Sequence, residues 1–158
     1  MIFDLKKSIL LRGLTFEVIS EYVLRKEKCN GFIFRTKRFA NLNVLLDYYK
    51  LDASKIKNIG LLESYYNSVD LIEFVLDDFK NRAINSIVLY EVKTKNNDRP
   101  KPIDIAKSCH NRFLELSSSG FETKIIFISI FENWKFSFNI HDYQTFNSIS
   151  LRKDRFRR

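Results

Sequence analysis

The stretch Ser86-Ile87-Val88-Leu89-Tyr90-Glu91-Val92-Lys93-Thr94-Lys95 decides how the chain is read. It opens as an unbroken apolar run rich in β-branched residues, the pattern of a buried strand. Side chains alternate across a strand, so Glu91 and Lys93 fall on one face and Tyr90 and Val92 on the other. A carboxylate and an ammonium group are thus presented together where a buried strand ends. Burying charge is costly unless it is paired or holds a metal. An ion pair on a solvated strand end is the simplest account, and this stretch alone does not exclude it. What decides between the two lies upstream.

Val69-Asp70-Leu71-Ile72-Glu73-Phe74-Val75-Leu76 reads as a second strand, joined to the first through the polar residues Asp77 to Asn85 as a hairpin. Antiparallel pairing sets Asp70, at the entry of one strand, beside Glu91 at the exit of the other. Two carboxylates meeting there repel each other unless they share a cation. Hard oxygen ligands of this kind suit Mg²⁺ or Mn²⁺. Lys93 beside them is positioned to hold or activate a water while a metal stabilises charge on a phosphate.

Further towards the N-terminus, Phe16, Val18, Ile19, Tyr22, Val23 and Leu24 recur at helical spacing. Thr15 is a plausible N-cap, with Arg12 and Gly13 as alternative starts, and Asn30-Gly31 stops the helix after about Lys28. Glu17 then falls in or near the first turn, where a carboxylate complements the helix dipole. Gly31 to Thr36 reads as a short strand. Phe39 to Tyr49 and, less regularly, Ile56 to Tyr65 read as helical, giving an insert over about residues 37–67. Beyond the central stretch come a loop from Asn96 to Pro102, a helix from Ile103 to Leu116 and a strongly apolar strand from Lys124 to Phe131. Trp134 to Ile140 alternates as a half-exposed strand at or near an edge. This order predicts an α/β (α+β) fold, a mixed central β-sheet flanked by helices. It forms one domain over residues 1–151, followed by a basic tail over 152–158.

A hydrophobic content of 45% with 15% aromatic residues in a chain of 158 excludes a disordered protein. The net charge of +8 points to a polyanionic partner, nucleic acid first and an anionic membrane second. With four glycines there is no Gly-rich phosphate loop. Cys29 and Cys109, even with His110 and His141, have neither the spacing of a zinc site nor that of a disulfide framework. Cys109 and His110 are adjacent on a helix, about 100° apart, and do not act on each other. No apolar run reaches membrane-spanning length and the N-terminus has no signal-peptide pattern, so a cytoplasmic protein without membrane attachment is expected.

Taken in order, these features resemble the PD-(D/E)XK nuclease superfamily, and within it the archaeal Holliday junction resolvase type. Gly13-Leu14-Thr15-Phe16-Glu17 is similar to the Gly-x-x-Phe-Glu element of its first helix, and Gly31-Phe32-Ile33-Phe34-Arg35 to its first strand. Val69-Asp70 and Tyr90-Glu91-Val92-Lys93 stand where the signature acids and lysine belong. The likeness covers roughly residues 12–36, 69–95 and the downstream helix and strand. Val69 replaces the usual proline, the insert is longer than in resolvases, and Lys107-Ser108-Cys109-His110-Asn111 stands where relatives often carry Gln.

The resemblance implies a restriction-endonuclease-like core that hydrolyses phosphodiester bonds in branched or duplex DNA, leaving a 5′-phosphate and a 3′-hydroxyl. It implies Mg²⁺ or Mn²⁺ on Asp70, Glu91 and the Val92 carbonyl, Lys93 positioning the attacking water, and Glu17 supporting a second metal or water. A resolvase acts as a homodimer, because two symmetric nicks need two sites. Such an enzyme is at home in an archaeon or an archaeal virus. Phosphate contacts are expected from Arg35, Lys37 and Arg38, from Lys95, Arg99 and Lys101, and from Arg152, Lys153, Arg155, Arg157 and Arg158. The alternative is a non-catalytic, basic DNA-binding protein with a degenerate nuclease fold. The sequence leaves open whether junctions, flaps, nicks or duplex ends are preferred.

Overall fold

The computed structural model describes residues 9–27, 31–94, 107–130 and 136–143. Its elements run α1 (Ile9–Glu27), β1 (Gly31–Arg35), α2 (Leu42–Tyr49), α3 (Ile59–Tyr65), β2 (Leu71–Asp78), β3 (Ala83–Thr94), α4 (Lys107–Ser118), β4 (Glu122–Ile130) and β5 (Phe136–Asp142). Short 3₁₀ turns at Thr36–Arg38 and Tyr66–Ser68 bracket the helical insert. The strands form one sheet in the order β1-β2-β3-β4-β5. Every pairing is antiparallel except β3 with β4. That parallel pair needs a crossover connection, and α4 lies within it. The fold is α+β, with a mixed five-stranded sheet, and β5 is an edge strand as its alternation indicates. Among the described residues, no helix is long and apolar enough to cross a membrane.

Helices cover both faces of the sheet, which is why β3 is apolar at consecutive positions rather than alternately. Ile87 and Leu89 pack with Leu42 and Leu45 of α2, Leu62 of α3, and Phe113 and Leu116 of α4. Val88 and Tyr90 point the opposite way and pack with Phe16 and Leu24 of α1. α2 buries Leu42, Leu45 and Leu46 and begins at Asn41, whose side chain accepts from the Val44 N–H at 2.9 Å. The outer face of α1 leaves Leu14, Val18 and Tyr22 exposed.

Several boundaries differ from the sequence reading: α2 begins at Leu42 rather than Phe39, α3 at Ile59 rather than Ile56, and β2 at Leu71 rather than Val69, which leaves Asp70 just ahead of its strand. α1 already includes Ile9, so Thr15 is no N-cap and Glu17 lies in the helix interior. Packing of Phe16 and Leu24 against the sheet, not a capping residue, sustains this helix. The hairpin is also tighter than the polar run Asp77 to Asn85 indicates, since β2 ends at Asp78 and β3 begins at Ala83. Asp78 stabilises the turn by accepting from the Lys80 N–H at 2.9 Å, and Arg82 takes a left-handed backbone, φ 52°. The insert adds a further partner for the start of β3. The Asp52 carbonyl accepts from the Ile84 N–H and the Asp52 N–H donates to the Arg82 carbonyl, both at 2.9 Å.

Thr36 ties the end of β1 to the start of β2. Its hydroxyl donates to the Val69 carbonyl, its N–H donates to the Asp70 carbonyl at 3.1 Å, and its own carbonyl accepts from the Tyr66 hydroxyl at 2.7 Å. Burial pushes that tyrosine up to about 12. Thr36→Val keeps the shape and removes only the buried hydroxyl. It is expected to cost about 1–3 kcal/mol, the penalty for a buried carbonyl left without its donor. Urea unfolding of the two proteins measures this, and an unchanged midpoint would show that the hydroxyl contributes nothing.

Candidate active site

The site is built from the fit between α1 and β1. Four residues of helix rise about 6 Å and two residues of strand advance about 6.6 Å. Positions 25 and 21 of α1 therefore keep step with 33 and 35 of β1, and Lys37, in the 3₁₀ turn that follows, meets Glu17 one helix turn further along. The Arg25 guanidinium donates to the Ile33 carbonyl from Nε at 3.1 Å and Nη2 at 2.8 Å. Glu21 accepts from Arg35 Nε at 3.0 Å and from Arg38 Nη1 at 3.1 Å, and also pairs with Arg25 at 3.0 Å. Glu17 accepts from Lys37 Nζ at 2.7 Å. Each step of this ladder ends at a buried glutamate or a backbone carbonyl, and the last step carries Glu17 to the end of the sheet.

Asp70, immediately before β2, and Glu91 of β3 come close to each other there. The Asp70 N–H donates to the Tyr90 carbonyl at 3.1 Å, and its Oδ2 accepts from the Val92 N–H at 2.8 Å. The aspartate is thereby pinned against the segment of β3 that carries Glu91. Glu91 is buried, with Oε1 2.8 Å from Lys93 Nζ and Oε2 3.7 Å from Arg112 Nη2 of α4. Glu17 approaches from the α1 side of the sheet and Glu91 lies on the α4 side. Asp70 and Lys37 stand at the strand ends between them.

These charges act on one another. Burial first, then Glu91 and Glu17, push the Asp70 carboxyl up to about 7, against the opposing pull of the Val92 N–H and Lys37. Lys37 is raised above the usual lysine value, chiefly by its hydrogen bond to Glu17 and also by the charges of Glu17, Asp70 and Glu91, against the opposing effect of burial. Among the described residues, three buried side-chain atoms have no hydrogen-bond partner: Glu17 Oε2, Glu91 Oε2 and Arg112 Nε. The Arg112–Glu91 approach of 3.7 Å is an ion pair but too long to be a hydrogen bond. Among the described residues, no three His, Cys, Asp or Glu side chains gather into a group able to hold a metal ion. What stands at this end is a pair of carboxylates, Asp70 and Glu91, with Glu91 Oε2 buried and without a hydrogen bond. This fits Mg²⁺, which is usually held by one or two carboxylates and completes its shell with water and substrate phosphate.

Of the residues the sequence singled out, Glu17, Asp70, Glu91 and Lys93 come to this end of the sheet, with Val92 between the last two. Arg35 is largely covered, as a rung of the ladder. Lys37 and Arg38 are more open and flank the acidic end, each tied by one bond to a glutamate. Lys95, Arg99, Lys101, Arg152, Lys153, Arg155, Arg157 and Arg158 lie outside the described residues, and Cys109 and His110 belong to α4. Sequence reasoning missed Arg112, the basic residue of α4 that faces Glu91. The signal available was its place beside Phe113 and four residues before Leu116, on the helix side that meets the sheet. Comparisons with protein-family models, with curated proteins and with solved structures give no significant match.

The raised Asp70 carboxyl has a consequence for stability. The folded chain holds this proton more tightly than an unfolded chain does, with an ordinary value of 3.8 against about 7. The group therefore favours folding fully below pH 3.8 and loses that contribution as the pH rises to 7. Asp70→Asn retains an acceptor for the Val92 N–H and removes the charge. In metal-free buffer it is expected to stabilise the protein at pH 8 by about 2–4 kcal/mol, with less than about half of that gain remaining at pH 5. Chemical denaturation with chelator at the two pH values tests this, and an equal effect at both would show that Asp70 titrates normally.

Proposed function

We propose that the chain is a metal-dependent deoxyribonuclease of the PD-(D/E)XK type, acting on branched or duplex DNA. The observation that carries this reading is the hydrogen bond from the Val92 N–H to Asp70 Oδ2, which fixes the Asp70 carboxylate on the segment of β3 where Lys93 Nζ lies 2.8 Å from Glu91 Oε1. The helix, antiparallel strand pair, helix and parallel strand that frame this site support the reading, because the sequence motifs imply that order. So does the basic character of the chain, which suits a polyanion.

In this reading, Asp70, Glu91 and the Val92 carbonyl hold Mg²⁺ or Mn²⁺, and Glu17 supports a second ion or a water. A bound ion supplies electrostatic stabilisation of the charge that develops on the phosphate. Lys93 donates hydrogen bonds to the attacking water and orients it towards the phosphorus. Arg112 keeps the Glu91 carboxylate turned into the site. Lys37 and Arg38, at the mouth, receive the flanking phosphates, and the products carry a 5′-phosphate and a 3′-hydroxyl. Paired cuts across a junction require a homodimer, with one site from each copy.

Incubating the protein with junction, flap, nicked and blunt duplex DNA in Mg²⁺ or Mn²⁺ tests the reading. Cleavage is expected, with Glu91→Gln and Asp70→Asn slower by about 10³-fold, equivalent to several kcal/mol of transition-state stabilisation. Lys93→Ala should bind DNA normally and cut poorly even in excess metal. Glu17→Gln should lose less and recover in part with Mn²⁺. A wild-type protein that binds all four DNAs and cuts none would establish the non-catalytic DNA-binding alternative.

A further inference from the structure

The insert between β1 and β2 carries an exposed aromatic surface that the proposed chemistry does not use. Tyr48, the penultimate residue of α2, is 70% exposed, more than any other large hydrophobic side chain among the described residues. Its ring meets Tyr49 at 4.9 Å and 74°, and Phe39 at 5.6 Å and 52°. Both neighbours meet it at an angle, so neither stacks flat against it. They are themselves fixed, Tyr49 against Phe34 at 4.4 Å and Phe39 edge-on to Phe34 at 6.3 Å. The result is an open aromatic ring on a rigid aromatic base.

Its surroundings indicate what the ring is for. Phe39 directly follows Lys37 and Arg38. Lys37 reaches Glu17 at 2.7 Å, and Glu21 fixes the half-exposed Arg38 at 3.1 Å. Lys37 and Arg38 stand in the 3₁₀ turn that leads directly into Phe39, so the aromatic surface follows the two cations at the acidic end of the sheet without a break in the chain. A basic edge beside an exposed aromatic ring is the arrangement by which proteins hold single strands, because every base has a face to stack and the phosphates follow the cations. Paired bases are already stacked on each other and offer no such face.

We propose that Tyr48, backed by Phe39, is a stacking platform for an unpaired base of a DNA strand whose phosphates lie on Lys37 and Arg38. The platform selects DNA with a single-stranded segment, such as a flap or overhang, over fully paired duplex. The proposal rests on the DNA-cleaving reading for its substrate but not on the carboxylates for its evidence.

The test uses the full chain in metal-free buffer with duplexes carrying 2-aminopurine at successive positions of an overhang, whose fluorescence falls on stacking. Wild type should quench the probe at one or two unpaired positions nearest the duplex. Tyr48→Ala should abolish that quenching and weaken overhang binding about 5- to 100-fold, leaving blunt-duplex binding within about twofold, while Tyr48→Phe behaves as wild type. Equal weakening on both DNAs, or none on either, overturns the proposal. A fall in oligomeric state in Tyr48→Ala without a change in quenching also overturns it, because the ring would then join copies of the chain. Cleavage assayed separately keeps the two readings apart. Quenching without cutting removes the nuclease reading and leaves the platform standing. Cutting with an unchanged overhang-to-blunt ratio in Tyr48→Ala removes the platform alone. If wild type binds neither DNA, both fall.

Discussion

The near-equality of four residues along a helix and two along a strand allows α1 to be laced to β1 by regularly spaced charged groups. Glu21 is the central rung. A carboxylate buried in that position is tolerable only with its oxygens occupied, and Arg25, Arg35 and Arg38 occupy them. Turning α1 by one residue rotates its side chains about 100° and uncouples every rung at once. The helix is thus fixed in rotation as well as in height, and Glu17 is aimed at the end of the sheet as a consequence.

At that end, the protein gathers more negative charge than burial favours. Lys37, Lys93 and Arg112 offset Glu17, Asp70 and Glu91 in number, but not atom for atom, since two carboxylate oxygens and the Arg112 Nε lack hydrogen bonds. The raised Asp70 carboxyl reports the same imbalance. A fold seeking only stability does better with a neutral residue at 70. Under the proposed function an added cation would relieve this imbalance, and the energetic cost of the arrangement is carried by the packed core on both faces of the sheet.

Much of this was legible because the period of the side chains is a strong signal. The run from Ser86 to Lys93 gave a buried strand with Glu91 and Lys93 on one face, and their 2.8 Å contact follows from that alternation. Glu17 was harder to read. Its apparent place in a first turn depended on Thr15 as a cap, whereas tertiary packing extends the helix past that point. Arg112 carries only a weak signal, its place near Phe113 and Leu116 on the apolar side of α4, because a single cation has no pattern of its own until the sheet beneath it is known. α2 shows the same ambiguity in apolar residues. Leu42, Val44, Leu45, Leu46 and Tyr48 look alike as a hydrophobic run, yet Leu42, Leu45 and Leu46 face the core, and Val44 and Tyr48, four apart, face out. Composition alone cannot say which side of such a helix is inward. The parallel pairing of β4 with β3 was likewise left open, because an apolar run does not disclose its direction.

The short turn between β2 and β3 also bears on when the site comes into being during synthesis. That hairpin is local and closes over a small loop, whereas α1 and α4 must be brought in from far along the chain at a greater entropic cost. Asp70 and Glu91 can therefore meet early, but Glu17 arrives only with α1 and Arg112 only after α4 has been translated and docked. A chain still on the ribosome, or one partly unfolded, holds fragments of the acidic end without the whole. Completion of the centre is coupled to completion of the fold, so a half-made molecule has no assembled centre.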